Sequence, residues 1–385
     1  MKKKIAILGS TGSIGKTLLK IISNDKKNFE IVCLTARKNY KLLFKQASIF
    51  NVKNIIITEK KYFDIAVSKN KKINIFNDFE NLKIIFPKKI DYVMSSIVGL
   101  EGLYPTIKFI KFTKKIAIAN KESIICAWNL IENELKKYNT KFTPVDSEHF
   151  SMWYALKNNS LQNVKKIYLT ASGGSLLNIS IKKYDKLNLN QILNHPNWQM
   201  GKKITIDSST LMNKVFEIIE AKNIFNLSYD KLDIIIHPKS YVHAIILFKD
   251  GMIKIIAHDT TMEIPIFNSI YSLKENSTKT KNVDFEKLNN LHFTKPDKKK
   301  FLSLNFLKSL PKKNSLFETV LVSANDELVN QYLNNKINYT SISTILSKII
   351  KRKEYLKLKK IVPQKISDVI SISNKVRFKI RSEYI

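Results

Sequence analysis

Ile5-Ala-Ile-Leu-Gly9-Ser-Thr-Gly12-Ser-Ile-Gly15-Lys-Thr-Leu-Leu-Lys-Ile-Ile22 is the stretch whose reading decides the fold. Ile5 to Leu8 is a short apolar run, three glycines follow at regular spacing, and the last seven residues have helical spacing. Strand, glycine turn and helix in that order open a dinucleotide-binding fold, with pyrophosphate held at the helix N-terminus. The spacing is GxxGxxG and not GxGxxG, so the reading rests on the position of the loop between strand and helix.

The next strand, Phe29 to Ala36, ends in Arg37-Lys38-Asn39. An NAD-specific site places an acid near here for the ribose hydroxyls; two cations suit the 2′-phosphate of NADP instead. Strands are further expected at Asn54 to Thr58, Tyr92 to Ser95 and Ile116 to Ala119, with helical stretches between them, as in a doubly wound parallel sheet. Ligands of such sheets sit beyond the carboxyl ends of the strands, which makes Lys121 and Glu122, just after the last of these, site candidates. Cys126, in an apolar context, reads as a small core residue.

Phe142 to Val145 runs into Asp146-Ser147-Glu148-His149. In an extended chain Asp146 and Glu148 project to one side and can share a hard cation such as Mg²⁺ or Mn²⁺. The strand Lys166 to Thr170 leads to Ala171-Ser172-Gly173-Gly174, where hydroxyl and N–H groups can meet phosphate. His195 to Glu220 then reads as a glycine-hinged loop, a short strand and a helix whose polar face carries Asn213, Glu217 and Glu220 with Lys214 at its edge. Ser208, Ser209 and Thr210 are expected where that helix begins, a second anion site. Asp233 to Ile236, Val242 to Phe248 and Met252 to Ala257 read as strands, the last two as a hairpin around Gly251. His237, His243 and His258 lack metal-ligand spacing and read as structural.

The expected organisation is α/β: a Rossmann-like NADP-binding domain over 1–146, a central α+β catalytic and dimerisation domain over 147–273, a lysine-rich linker over 274–300, and a C-terminal helical domain over 301–385. The 385 residues carry 66 Lys+Arg against 32 Asp+Glu, a net charge of +34. Only Arg37, Arg352, Arg377 and Arg381 are arginine and the lysines are scattered, unlike a nucleic-acid surface. Glycine is scarce, at nine, so each is expected where the backbone demands it. Two cysteines without CxxC spacing suit a reducing cytoplasm, and no run is long enough to span a membrane.

Taken together, Leu-Gly-Ser-Thr-Gly-Ser-Ile-Gly from Leu8, Asn-Lys-Glu-Ser from Asn120, Pro-Val-Asp-Ser-Glu-His from Pro144, Ser-Gly-Gly from Ser172, His-Pro-Asn-Trp with Met-Gly from His195, and Met-Asn-Lys with Glu-x-x-Glu-Ala from Met212 resemble the 1-deoxy-D-xylulose 5-phosphate reductoisomerase family over essentially the whole chain. The resemblance implies a homodimeric enzyme that rearranges 1-deoxy-D-xylulose 5-phosphate and reduces it with NADPH, using Mn²⁺ or Mg²⁺, or Co²⁺. It implies NADPH contacts at Thr11, Gly12, Ser13, Ile14, Arg37, Lys38, Asn39, Asn120, Glu122 and Gly201. It implies metal ligands at Asp146, Glu148 and Glu217, and a phosphate grip of Ser172, Ser208, Asn213 and Lys214 with His195. Lys121 and Ser147 would meet the reacting oxygens, and Trp198 with Met200 would form part of a lid. Two stretches depart from the family: Arg37 stands where glycine is common, and Thr260-Thr261-Met262-Glu263 replaces a stretch ending Pro-Asp-Met-Arg. Competing classes are a semialdehyde dehydrogenase, which needs a catalytic cysteine, a sugar-phosphate binding protein without turnover, and a nucleic-acid binder with salt-dependent affinity.

Overall fold

The computed structural model describes residues 1–70, 72–271 and 282–384, and the chain forms two compact units. The first comprises Met1–Ser123, Leu130–Asp146 and a stretch that begins at Met262; the second comprises Ile124–Asn129, Ser147–Thr261 and the C-terminal stretch.

The first unit is built on a parallel seven-stranded sheet: β1 (Lys3–Leu8), β2 (Phe29–Ala36), β3 (Asn54–Ile57), β4 (Asn74–Phe76), β5 (Tyr92–Ser95), β6 (Lys115–Ile118) and β7 (Lys141–Pro144). Their order is β4-β3-β2-β1-β5-β6-β7, so the winding reverses between β1 and β5, beside the glycine loop. That reversal opens the crevice in which doubly wound sheets bind nucleotides. Ile5, Ala6, Ile7 and Leu8 are fully buried, as expected of a parallel strand covered on both faces. Helix Ser13–Ser23 turns Leu18, Leu19, Ile21 and Ile22 into the same core.

Helix Glu263–Ile270 also belongs to this unit, although the sequence reading assigned it to the central domain. Ile266, Ile270 and Tyr271 complete the first unit's core, Tyr92 OH and Ser269 Oγ lie 2.6 Å apart, and Tyr271 OH donates to Asp25 at 2.7 Å. Burial of that apolar face fixes its place, and local pattern carries no trace of where the face docks.

The second unit holds a four-stranded sheet of β8 (Val164–Ala171), β9 (Leu232–Ile236), β10 (Val242–Phe248) and β11 (Ile253–Ala257), in the order β11-β10-β8-β9. β8 and β9 are parallel; β10 pairs antiparallel with both β8 and β11. Helices Ser147–Leu156 and Met212–Phe225 pack on it. Helices Leu316–Leu333, Tyr339–Ile349 and Ile366–Tyr384 form the expected helical layer, but within the same compact unit. Buried polar ties bind them in: Asn325 donates to Asp207 at 2.7 Å, and Tyr339 OH lies 2.9 Å from Ser209 Oγ.

Two expectations change here. The short strand expected between the glycine-hinged loop and the helix does not form: Lys202–Ser209 is a helix, followed after a break by helix Met212–Phe225. Alternating isoleucines suggested extension, but the hydroxyls of Thr205, Ser209 and Thr210 bond back to carbonyls three or four residues earlier, which a helix provides. Ser208, Ser209 and Thr210 therefore end one helix instead of starting the next, and Leu211, at φ +57°, makes the break. The expected linker over 274–300 lies partly outside the described residues, through 281. Its remainder is tied down, with a short helix Phe285–Asn289 and main-chain bonds between Thr294 and Ile236 of β9 at 2.8 and 3.0 Å. Among the described residues no helix is long and apolar enough to cross a membrane.

Candidate active site

In the first unit the candidate ligand groups lie at the carboxyl ends of the strands. Gly9 takes φ +81°, and a Cβ on Gly15 would stand 2.5 Å from Ser10 Cα and 2.6 Å from the Gly9 carbonyl. The helix thus packs directly on the loop, and Thr11, Gly12, Ser13 and Ile14 surround its first turn. Gly12 caps it without a side chain, leaving first-turn N–H groups to a ligand. After β2, Arg37 and Lys38 are exposed, Arg37 Nε donates to Glu59 at 3.1 Å, and Asn39 Oδ1 caps helix Tyr40–Ile49 through Leu42 N. Asn120 is buried after β6; its amide accepts from Ser123 N at 2.6 Å and donates to the Gly99 carbonyl at 2.7 Å, pinning the loop after β5 to the start of helix Lys121–Lys137. Lys121 and Glu122 are buried there, and Lys121 Nζ meets Asp146 Oδ2 at 3.2 Å.

Asp146 and Glu148 do not share an extended strand: β7 ends at Pro144, and Ser147 starts helix Ser147–Leu156. Glu148 thereby lies in a first helical turn, where Ser147 Oγ donates to its carboxylate at 2.5 Å. In the second unit Lys214 Nζ contacts Glu148 Oε1 and Glu217 Oε2, each at 2.5 Å, while Asn213 Nδ2 donates to Glu217 Oε1. Glu217 is 1 % exposed and Lys214 6 %, so the carboxylates hold a charge partner that water cannot replace. Burial alone would lower the Lys214 pKa; Glu148 and Glu217 outweigh it and hold the ammonium above the ordinary lysine value. Asn213 and Lys214, expected in the phosphate grip, are thus engaged with the carboxylates in this structure.

Ser172, His195 and Ser208 gather around the glycine pair after β8. Gly174, at φ +67°, approaches so closely that a Cβ would stand 2.7 Å from Ser209 Cα and 2.8 Å from the Ser208 carbonyl. Ser172 Oγ accepts from Gly174 N and lies 3.0 Å from His195 Nε2. Burial, then the Lys214 charge, pushes the His195 pKa down to about 4, so the imidazole is neutral at ordinary pH. Trp198 packs edge-on against His243, which stacks on His258 with centroids 3.7 Å apart. Met200 and Gly201 close that segment; Gly201 has an ordinary φ of −64° and open space around it, so its backbone does not demand glycine.

One residue received no role from the sequence although it lies within the Val-Asp-Ser-Glu-His motif. His149 is fully buried; its Nε2 sits 2.9 Å from the Glu217 carbonyl and its Nδ1 3.9 Å from Glu220. It joins the helix of Glu148 to that of Glu217. The adjacent motif was its only signal, because the partner lies 68 residues away.

A parallel sheet whose winding reverses beside a glycine loop is the architecture of a dinucleotide-binding domain. Comparisons narrow this class. Residues 5–128 match the model of 1-deoxy-D-xylulose 5-phosphate reductoisomerase, and 142–225 and 259–379 match models of the C-terminal domains of that enzyme. The chain is 55% identical to the 1-deoxy-D-xylulose 5-phosphate reductoisomerase of Pelagibacter ubique, over 99% of both, and 37% identical to that of Thermoanaerobacter sp. over 100% of both. Among solved structures it resembles the Zymomonas mobilis enzyme in complex with NADPH (28% identity, 99% of each chain, TM-score 0.87). It also resembles a DOX-P reductoisomerase in complex with NADPH, fosmidomycin and magnesium (29% identity, 100% of each chain, TM-score 0.90). The chain belongs to the 1-deoxy-D-xylulose 5-phosphate reductoisomerase family.

Proposed function

We propose that this chain rearranges 1-deoxy-D-xylulose 5-phosphate and reduces the product with NADPH to 2-C-methyl-D-erythritol 4-phosphate, a precursor step of isoprenoid synthesis that depends on a divalent metal. The observation that carries the reading is the single buried ammonium of Lys214 shared by Glu148 and Glu217, beside an imidazole whose pKa it lowers. Anionic oxygens gathered around one point charge suit a hard divalent ion. Glu148 and Glu217, with Asp146 as third ligand, would hold Mg²⁺ or Mn²⁺. When bound, the ion supplies Lewis acidity to adjacent substrate oxygens and NADPH supplies hydride.

The chain's own residues do the rest. Ser172, Ser208 and the neutral His195 offer hydrogen bonds to the phosphate, and Lys214 and Asn213 add charge and a donor at the edge of that pocket. Because phosphate lies away from the reacting carbons, its binding energy can position the substrate. Lys121 and Ser147 orient the reacting oxygens, and Trp198 and Met200 exclude water. Thr11, Gly12, Ser13 and Ile14 offer the first helical turn to the pyrophosphate. Arg37, Lys38 and Asn39 meet the 2′-phosphate, and Asn120, Glu122 and Gly201 complete the NADPH contacts. A semialdehyde dehydrogenase fits poorly: Cys126 is fully buried, and burial pushes the Cys33 thiol far up.

A homodimer formed through the second unit's sheet is part of this reading. β11 is an edge strand on which Ile253 and Ile255 are 56% and 48% exposed, an apolar edge of the kind that a second copy covers. Two buried free thiols are compatible with a reducing cytoplasm. Oxidation of NADPH on adding 1-deoxy-D-xylulose 5-phosphate, with and without Mn²⁺ and with NADH as control, tests the reaction. Metal-dependent turnover preferring NADPH supports it; NADPH binding without turnover leaves only a binding protein.

A further inference from the structure

Asn197 lies between His195 and Trp198 and has no ligand role in the reading above. Its Nδ2 donates to the Pro238 carbonyl and to Ser240 Oγ at 3.0 Å, and its main-chain N–H donates to His195 Nδ1 at 3.1 Å. Trp198 N donates to the same Nδ1 at 3.0 Å. A ring nitrogen that accepts two N–H groups carries the lone pair, so the proton of the neutral imidazole is on Nε2, the atom facing Ser172 Oγ.

The receiving turn is firm. It connects β9 to β10, Ser240 is buried at φ +51°, and its N–H closes onto the His237 carbonyl at 3.0 Å. His237 N in turn donates to the carbonyl of Ala171 at 2.7 Å, the residue before Ser172. Ser172, His195, Asn197, the Pro238–Ser240 turn, His237 and Ala171 thus form one closed circuit, in which Asn197 supplies the link between loop and sheet.

We propose that Asn197 is a positioning residue: it ties the His195–Met200 segment to the Pro238–Ser240 turn and so holds His195 as an Nε2–H donor at the phosphate pocket. The proposal rests on the phosphate role of His195. With two side-chain hydrogen bonds removed, Asn197→Ala should raise both KM for the sugar phosphate and the inhibition constant of inorganic phosphate about tenfold. Turnover at saturation and KM for NADPH should stay within about twofold. Ser240→Ala, which removes one acceptor, should show the same pattern at about threefold.

Nitrogen-15 spectra of the histidines report the tautomer without reference to activity. The wild type should show His195 as Nε2–H, and Asn197→Ala a mixture of tautomers. Unchanged phosphate inhibition together with an unchanged His195 spectrum, in either folded variant, overturns the proposal. His195→Gln separates the two readings. If it raises KM while the Asn197 and Ser240 variants do not, Asn197 is merely structural; if it leaves KM unchanged, the phosphate role of His195 fails and this proposal fails with it.

Discussion

Around the glycine loop of the first unit the candidate ligand groups are main-chain N–H groups at Gly12 to Ile14 and, after β2, the exposed side chains of Arg37 and Lys38; the loop presses on its own helix at Gly15. On the paired helices of the second unit they are interlocked around a buried centre, with Lys214 against Glu148 and Glu217, and His149 against the Glu217 carbonyl and Glu220. The first arrangement depends on backbone shape, and the side chains around it can vary at low cost. The second depends on charge balance, where losing one partner leaves the others uncompensated in a poorly solvated place. Deletions should therefore hurt the second unit most, and added atoms the first.

The largest effect is expected from Lys214→Met, which leaves the buried Glu217 and the partly buried Glu148 without their shared cation. Stability should fall by about 3–5 kcal/mol in thermal or denaturant unfolding, and Mn²⁺ should recover part of the loss. Metal-independent melting within experimental error of the wild type would show that charge balance does not govern this unit.

Glu318, on helix Leu316–Leu333, sharpens the same point. Burial raises its carboxyl to about 7, so folding favours the protonated form. Its stabilising contribution is complete below the ordinary glutamate pKa and is lost as pH rises through about 7. With the shift converted at the standard factor, the total is on the order of 3 kcal/mol. Unfolding followed from pH 4.5 to 8 should decline with pH in the wild type, and the decline should flatten in Glu318→Gln.

Gly15→Ala tests the first unit, because its Cβ would meet backbone atoms that cannot swing aside. A loss of about 1–3 kcal/mol is expected, with weaker NADPH binding by fluorescence titration and little change in Mn²⁺ affinity. The smallest effect is expected at Gly201, whose φ is ordinary and whose added Cβ meets nothing within 4 Å. Gly201→Ala should stay within about 0.5 kcal/mol of wild type, and a larger loss would mean that the segment needs freedom its conformation does not display.

The same contrast explains what was legible in the sequence. Phe29–Ala36 and Val242–Phe248 were readable to the residue because their apolar runs end at turn signals. The glycine loop was readable because its glycines serve local shape. Helix Lys202–Ser209 was not, since its alternating isoleucines imitate a strand while back-bonding hydroxyls and contacts with distant helices decide otherwise. Nor could the sequence assign helix Glu263–Ile270 to the first unit, or join His149 to the helix of Glu217, because both depend on packing between remote segments. Glu148 was nominated as a ligand by its spacing from Asp146 and Glu217 by motif resemblance; their shared contact with Lys214 emerged only with the fold.

Direct titration with Mn²⁺, followed by the loss of its free electron-spin resonance signal, tests the central claim. The wild type should bind the ion tightly, and Glu148→Gln and Glu217→Gln should each weaken that binding by about 100-fold or more while inorganic phosphate still binds, since even outer partners of a metal site are worth 10–100-fold. Wild-type Mn²⁺ affinity in both folded variants would contradict the account, because the two carboxylates would then serve only to hold Lys214.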